Sequence, residues 1–364
     1  TLQGTQMPGI THAYHFDAGL YANYLRNVAE QMGVRRIEGK VAKVHQNSES
    51  GAIQSLTLEG DQTLEGDLFI DCSGMRGLLI EKTLHVGFED WSHWLPCNSA
   101  IAVASEQLSP LPPYTRSIAH EAGWRWQIPL QHRTGNGIVY SEHYLDENLA
   151  LDKLLSEING EPLSEPNVIA FQTGRRRKQW HKNVVSIGLS SGFLEPLEAS
   201  ALVLVELSAE MISEQLPTTR GVMDIVAKRF NDTFLYRWDR IIDFLKLHYI
   251  LSERTDNQFW IDNRDPGTIP DSLKELMKLW QYRSPANFDF TSNNEVFPAA
   301  SYQYVLYGMG FKSDYSHSAH QLTNWSFAKQ KFAQNQQMIE QATSSLPEHR
   351  ELLQKIRQYG LSPI

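Results

Sequence analysis

The sequence predicts a mixed α/β fold of the α+β kind whose second half turns to helices. Three observations carry this. A helix-period segment from Asp17 to Gly33 leads into short extended runs, a strand passes through a glycine-bearing segment into a helix between Val184 and Ala199, and beyond Thr219 the periodicity is mainly helical. At 364 residues, and roughly 150 residues per domain, the change divides the chain near residue 215. Residues 1–215 form an α+β part and 216–364 a mainly helical C-terminal substrate subdomain.

From Asp17 to Gly33, Leu20, Tyr21, Tyr24, Leu25, Val28, Ala29 and Met32 recur at three and four, which predicts an amphipathic helix ended by glycine. Val41 and Val44 open an extended stretch whose hairpin partner is Ile53 to Leu58, and Leu68-Phe69-Ile70 suits a buried strand. Short segments at Ala100 to Ala104, Ser117 to His120, Trp124 to Pro129 and Gly137 to Tyr140, punctuated by Pro and Gly, predict an antiparallel sheet. Val184 to Ile187 is a strand, and the helix after Ala199, apolar on most faces, is expected to lie buried against a sheet. Phe230, Phe234, Trp238 and Phe244 mark a long helix, followed by others near 271–280, 326–343 and 347–359.

Composition is that of a globular protein, with 41% hydrophobic and 21% charged residues. The net charge of −9 disfavours a nucleic-acid partner that tracks phosphates. No apolar run reaches the ~18 residues of a membrane span. Cys72 and Cys97 form neither a paired metal motif nor a disulfide framework, so a reducing cytoplasm is the expected location. His12-x-x-His15 and His317-x-x-His320 lack a third ligand, and no metal site is expected.

Gly188-Leu189-Ser190-Ser191-Gly192 matches the G-x-S-x-G nucleophile elbow, yet Phe193 to Glu198 intervene before the helix that an elbow enters directly. A small-residue turn allowing close backbone approach is the better reading, and its run toward a helix N-terminus suits an anion or cofactor. Glu195 and Glu198 precede that terminus, where they cap the helix dipole. A carboxylate between Pro196 and an apolar helix is also expected to be desolvated, as functional acids often are. Trp124 and Trp126, two residues apart, share one face of a strand and suit a water-poor channel. The basic run Gly174-Arg175-Arg176-Arg177-Lys178 reads as a solvated turn near a cofactor phosphate at most.

Trp124-Arg125-Trp126-Gln127-Ile128-Pro129 resembles the W-x-W-x-I-P signature of flavin-dependent tryptophan halogenases. Tyr14-His15-Phe16-Asp17-Ala18, Asp71-Cys72-Ser73-Gly74 with Arg76-Gly77, Gly174 through Trp180, and Ile187 through Glu198 agree with the same family in order. The resemblance implies an FAD-binding, p-hydroxybenzoate hydroxylase-like flavoprotein fold with a helical C-terminal region. It also implies an oxidoreductase that takes reduced FAD from a separate flavin reductase and consumes dioxygen. Chloride or bromide is turned into hypohalous acid, which passes through an internal tunnel to a small aromatic substrate such as tryptophan or another indole. A homodimer is compatible with it.

Residue by residue, Glu198 matches the catalytic glutamate, Trp124 and Trp126 the tunnel tryptophans, and Gly188, Leu189, Gly192 and Phe193 the segment beside the flavin ring. Asp71 and Gly74 join them as cofactor contacts, and Ser200 and Ala201 fall where backbone N–H groups bind halide. Ala199 stands where the family often has serine. The tryptophan-plus-amide pattern expected near the substrate is replaced by Glu295 to Tyr302, leaving Phe297 and Tyr302 to face the ring; an indole or phenol without an amino-acid head group is as well suited as tryptophan. The family's G-x-G-x-x-G loop and catalytic lysine precede the Tyr14 segment, so the chain is expected to be an N-terminally truncated member that binds FAD poorly and is inactive as it stands. The alternatives are a flavin-dependent aromatic monooxygenase and, behind it, a serine hydrolase using Ser190.

Overall fold

The computed structural model describes residues 13–291, 295–321 and 323–360. His12 and the chain start lie outside them. Helix α1 (Ala18–Gln31) is capped by Asp17, whose carboxylate accepts the N–H groups of Gly19 and Leu20 and pairs with Arg133 at 2.7 Å. Gly33, at φ +96°, follows its end. The amphipathic face is there, but none of its residues is buried.

Strands β1 (Val41–Gln46) and β2 (Ile53–Leu58) pair antiparallel, and β3 (Thr63–Glu65) extends them. The next strand, β4 (Phe69–Asp71), corrects one expectation: Ile70 is 42% exposed, so the run is only half covered. After β5 (Phe88–Asp90) come β6 (Ser99–Ser105), β7 (Arg116–His120), β8 (Gly123–Pro129) and β9 (Thr134–Tyr140). Helix α2 (Glu147–Glu157) separates them from β10 (Asn167–Ala170). These last strands make the predicted antiparallel sheet, in the order β10-β6-β9-β8-β7.

Then follow β11 (Gly174–Arg176), β12 (Trp180–His181), β13 (Val184–Ser186) and β14 (Gly192–Phe193). Strand β13 runs parallel to β4, and β11 lies between β14 and β5. The basic run is therefore no solvated turn. Arg175 and Arg176 are buried in β11, the first paired with Glu89 and Asp239 at 3.1 Å, the second with Glu81 at 3.1 Å. Charges this deep persist only when partnered.

Helix α3 (Ser200–Glu214) corrects another expectation. Only Ser200, Leu204 and Ser208 are buried and Leu202 is exposed, because α3 lies along α4 (Arg220–Ile250) instead of beneath a sheet. Phe230, Phe234 and Trp238 of α4 pack with Trp91, Trp180, Ile101 and Val139 in one core. Each such ring removes from water area worth roughly 1.5–3 kcal/mol. This core crosses residue 215 without a break. Helix α5 (Gln258–Asp262) joins it, whereas α6 (Asp271–Trp280) and α7 (Ala299–Gly308) gather a second cluster around Phe244 and Leu247. Helices α8 (Trp325–Ser345) and α9 (His349–Tyr359) bury none of their residues.

Candidate active site

The segment after β13 makes two turns before α3. Gly188 to Ser190 form a 3-10 turn, β14 crosses back, and Pro196–Glu198 form a second 3-10 turn that ends at Ala199. Ala199 is left-handed, at φ 50° and ψ 30°, a strained conformation for a residue with a Cβ. No side chain caps the N-terminus of α3, so its first N–H groups stay open to an anion beside Ser200 and Ala201.

Gly188, Leu189, Gly192, Phe193, Ser200 and Ala201 all line one cavity of about 270 Å³. Gly192 is required by sterics: a Cβ there would stand 2.5 Å from the Gly174 carbonyl oxygen, at φ +155°. Gly188, at φ +67°, is required by its left-handed backbone, a Cβ there meeting only Val205 at an ordinary 3.7 Å. Glycine backbone, Leu189, Val205, Phe193 and Trp238 give this cavity a largely apolar wall.

Asp71 and Gly74 stand apart from that cavity lining. The Asp71 carboxylate is buried and accepts the N–H groups of Ser73, Leu79 and Ile80, so it holds its own loop and is not free for a ligand. Ser190 is likewise no nucleophile. Fully buried, its hydroxyl donates to the carbonyls of Asp71 and Ile187.

Glu198, at the end of the second turn, meets His248 of α4, with Oε1 and Nε2 2.9 Å apart. The other ring nitrogen, Nδ1, lies 2.9 Å from the Phe244 carbonyl, which can only accept. Glu198 keeps 35% of its side chain exposed, and the desolvated acid is Glu195, 1% exposed. Burial raises the Glu195 pKa, opposed by Tyr249, Cys97 and Trp124.

A second cavity, of about 210 Å³, has Trp124, Leu197, His248, Tyr249, Trp260 and Met309 among its walls and, among the described residues, no Asp, Glu, Lys or Arg. Trp124 and Trp126 do share a face of β8, ring centroids 6.0 Å apart. Gly137, opposite Trp126 on β9, makes room for it, because a Cβ at 137 would lie 1.9 Å from that indole. Phe297 stacks on Phe244 at 4.1 Å, next to His248. Tyr302 does not join the site. It is 1% exposed in the helical core, its hydroxyl donating to the Arg240 carbonyl, because its face of α7 packs on α4.

Sequence reasoning missed His248, Tyr249, Trp260 and the fully buried Lys246. His248 had a signal, since Phe244 and His248 stand four apart on α4 and so share a face. Among the described residues no group of three or more His, Cys, Asp or Glu gathers to hold a metal ion. None of their helices is long and apolar enough to cross a membrane.

Comparison with known proteins matches residues 2–324 to the tryptophan halogenase family model. The tryptophan 6-halogenase ThaL of Streptomyces albogriseolus is 37% identical over 295 residues, covering 79% of this chain and 54% of ThaL. The chain thus spans about half the length of that curated relative. A solved tryptophan halogenase of Shewanella frigidimarina superposes with a TM-score of 0.89 at 36% identity, covering 97% of this chain and 70% of its own. BrvH, a flavin-dependent halogenase from Brevundimonas sp. BAL3, does so with a TM-score of 0.86 at 40% identity, covering 94% and 69%.

Proposed function

The chain belongs to the tryptophan halogenase family, and on that footing we propose that it carries the substrate side of a flavin-dependent halogenase acting on a small uncharged aromatic ring of the indole kind. The observation that carries this is His248, which shares a cavity wall with Trp124, Tyr249 and Trp260 and whose Nε2 lies 2.9 Å from Glu198 Oε1. Among the described residues that line this cavity there is no Asp, Glu, Lys or Arg to match an amino-acid head group, which favours indole over tryptophan.

Gly188, Leu189, Gly192 and Phe193 would hold the flavin ring of FAD, and the N–H groups at Ser200 and Ala201 a chloride or bromide. Reduced FAD, supplied by a separate reductase, provides with dioxygen and halide the electrophilic halogen. Trp124 and Trp126 keep water from its path. Glu198, tied by Oε1 to the His248 of the cavity wall, would supply from beside the cavity a fixed carboxylate that lowers the energy of the positive charge developing on substitution. As the carbon–halogen bond forms, the displaced ring proton leaves toward the pair.

The test uses the intact protein with FAD, a flavin reductase, NADH and chloride or bromide, offered indole and tryptophan separately. A product bearing one halogen in place of one hydrogen is expected, larger in amount from indole. Glu198→Gln should lower turnover about 10²–10³-fold with substrate affinity nearly unchanged. A hydroxylated product from the unaltered enzyme would instead support the aromatic monooxygenase.

A further inference from the structure

Glu195 has no place in the mechanism above, yet it is the most enclosed carboxyl near the site. Its Oε1 accepts a hydrogen bond from the Tyr249 hydroxyl at 2.5 Å. Its Oε2 and the Trp124 indole Nε1 are both buried without a partner of good geometry. The Trp124 indole and the Cys97 thiol both lie near enough to the Glu195 carboxyl to oppose the rise of its pKa. An indole N–H can only donate, so Trp124 requires a lone pair at this point and Oε2 offers one.

Tyr249 in turn stacks on Trp260, with centroids 5.7 Å apart and planes at 25°, and the Trp260 indole N–H donates to the His120 carbonyl at 2.8 Å. Trp124, Tyr249 and Trp260 are the aromatic walls of the 210 Å³ cavity. One carboxyl group therefore holds the Tyr249 wall by a hydrogen bond, lies near the unpaired indole N–H of a second wall, and reaches the third through a stacked ring. It is also the residue from which the Pro196–Glu198 turn springs, so its anchorage fixes where that turn delivers Glu198.

We propose that Glu195 is a positioning residue whose two oxygens hold the Trp124 and Tyr249 walls, keeping the path to the substrate closed to solvent. The role assigned to that path rests on the halogenase reading. What Glu195 must supply is a hydrogen-bond acceptor for Trp124, which glutamine keeps in its carbonyl oxygen while its NH2 donates to the Tyr249 oxygen, and which methionine, of similar length, lacks.

The experiment uses two readouts on the intact protein. The first is halogenated product formed per NADH consumed, with an added dione trap reporting hypohalous acid that escapes. The second is the 19F signal of Trp124 in protein labelled with 5-fluorotryptophan, identified by its loss in Trp124→Phe. Glu195→Met should lower product per NADH by about tenfold or more, the population shift of one lost buried hydrogen bond. Trapped hypohalous acid should rise and the Trp124 signal should move. Glu195→Gln should recover most of both, which a merely space-filling role does not predict.

Should the methionine variant not fold, Glu195→Asp, which draws both oxygens back by one methylene, is expected to show the same two changes. An unmoved Trp124 signal or an unchanged yield in the folded variant overturns the proposal, as does a glutamine variant as impaired as the methionine one. If the unaltered enzyme halogenates nothing, the halogenase reading fails while the 19F signal still judges the hold of Glu195 on Trp124.

Discussion

Replacing Lys246 by methionine should stabilise the protein at neutral pH, and the gain should shrink as the pH rises. Lys246 is fully buried in α4 and donates to Asn263 at 2.9 Å and Thr268 at 3.4 Å. Burial pushes its pKa from 10.5 down to about 7, against the opposing pull of Glu195. Between pH 7 and 10.5 the unfolded chain therefore binds the proton that the folded chain has lost, and stability rises with pH in that window. Below pH 7 the whole cost is present. A shift of about 3.5 units at 1.36 kcal/mol each sets it at about 5 kcal/mol.

Methionine fits the same space without the charge. It forfeits the two hydrogen bonds and leaves their acceptors unpaired, which offsets about 1–3 kcal/mol. Lys246→Met should then be about 2–4 kcal/mol more stable than the parent at pH 7. By pH 9 the parent has regained about 2 kcal/mol and the difference narrows accordingly. Urea denaturation of both proteins at the two pH values, followed by tryptophan fluorescence, measures this, and other titrating groups cancel in the difference. A difference that stays constant between pH 7 and pH 9 would refute the reasoning, because it would mean that Lys246 carries its proton as readily inside the fold as outside.

Gly137→Ala should cost about 1–3 kcal/mol in the same assay, since its Cβ would lie 1.9 Å from the Trp126 indole and force that ring aside. Ser190 should resist labelling by a fluorophosphonate, as its hydroxyl is buried and donates to two carbonyls. A covalent adduct at Ser190 found by mass spectrometry would revive the hydrolase alternative.

Much of the site was legible because its signals are local. Glycines at 188 and 192 followed by a helix start point to a cradle, and two tryptophans two residues apart must share a strand face wherever that strand goes. Both hold in the structure, where the glycine segment and the open end of α3 line one cavity. The desolvated acid was misplaced by three residues. Glu195 and Glu198 share the same proline and the same apolar helix as neighbours in sequence, and only the direction of one 3-10 turn sends the first into the core and leaves the second 35% exposed.

The sequence by itself determined the order of helices and strands, the antiparallel sheet, the long aromatic helix and the family, since periodicity and motif spacing are properties of neighbouring residues. Tertiary structure alone decided which charges are paired and which rings meet. Arg175 finds Asp239 across 64 residues, Glu198 finds His248 across 50, and Glu195 finds Tyr249 across 54. The physical reason is that desolvation and hydrogen bonding act over a few ångströms of space, and the packing of α4 against β12, with β11 and the turn before α3 nearby, brings those residues within that reach.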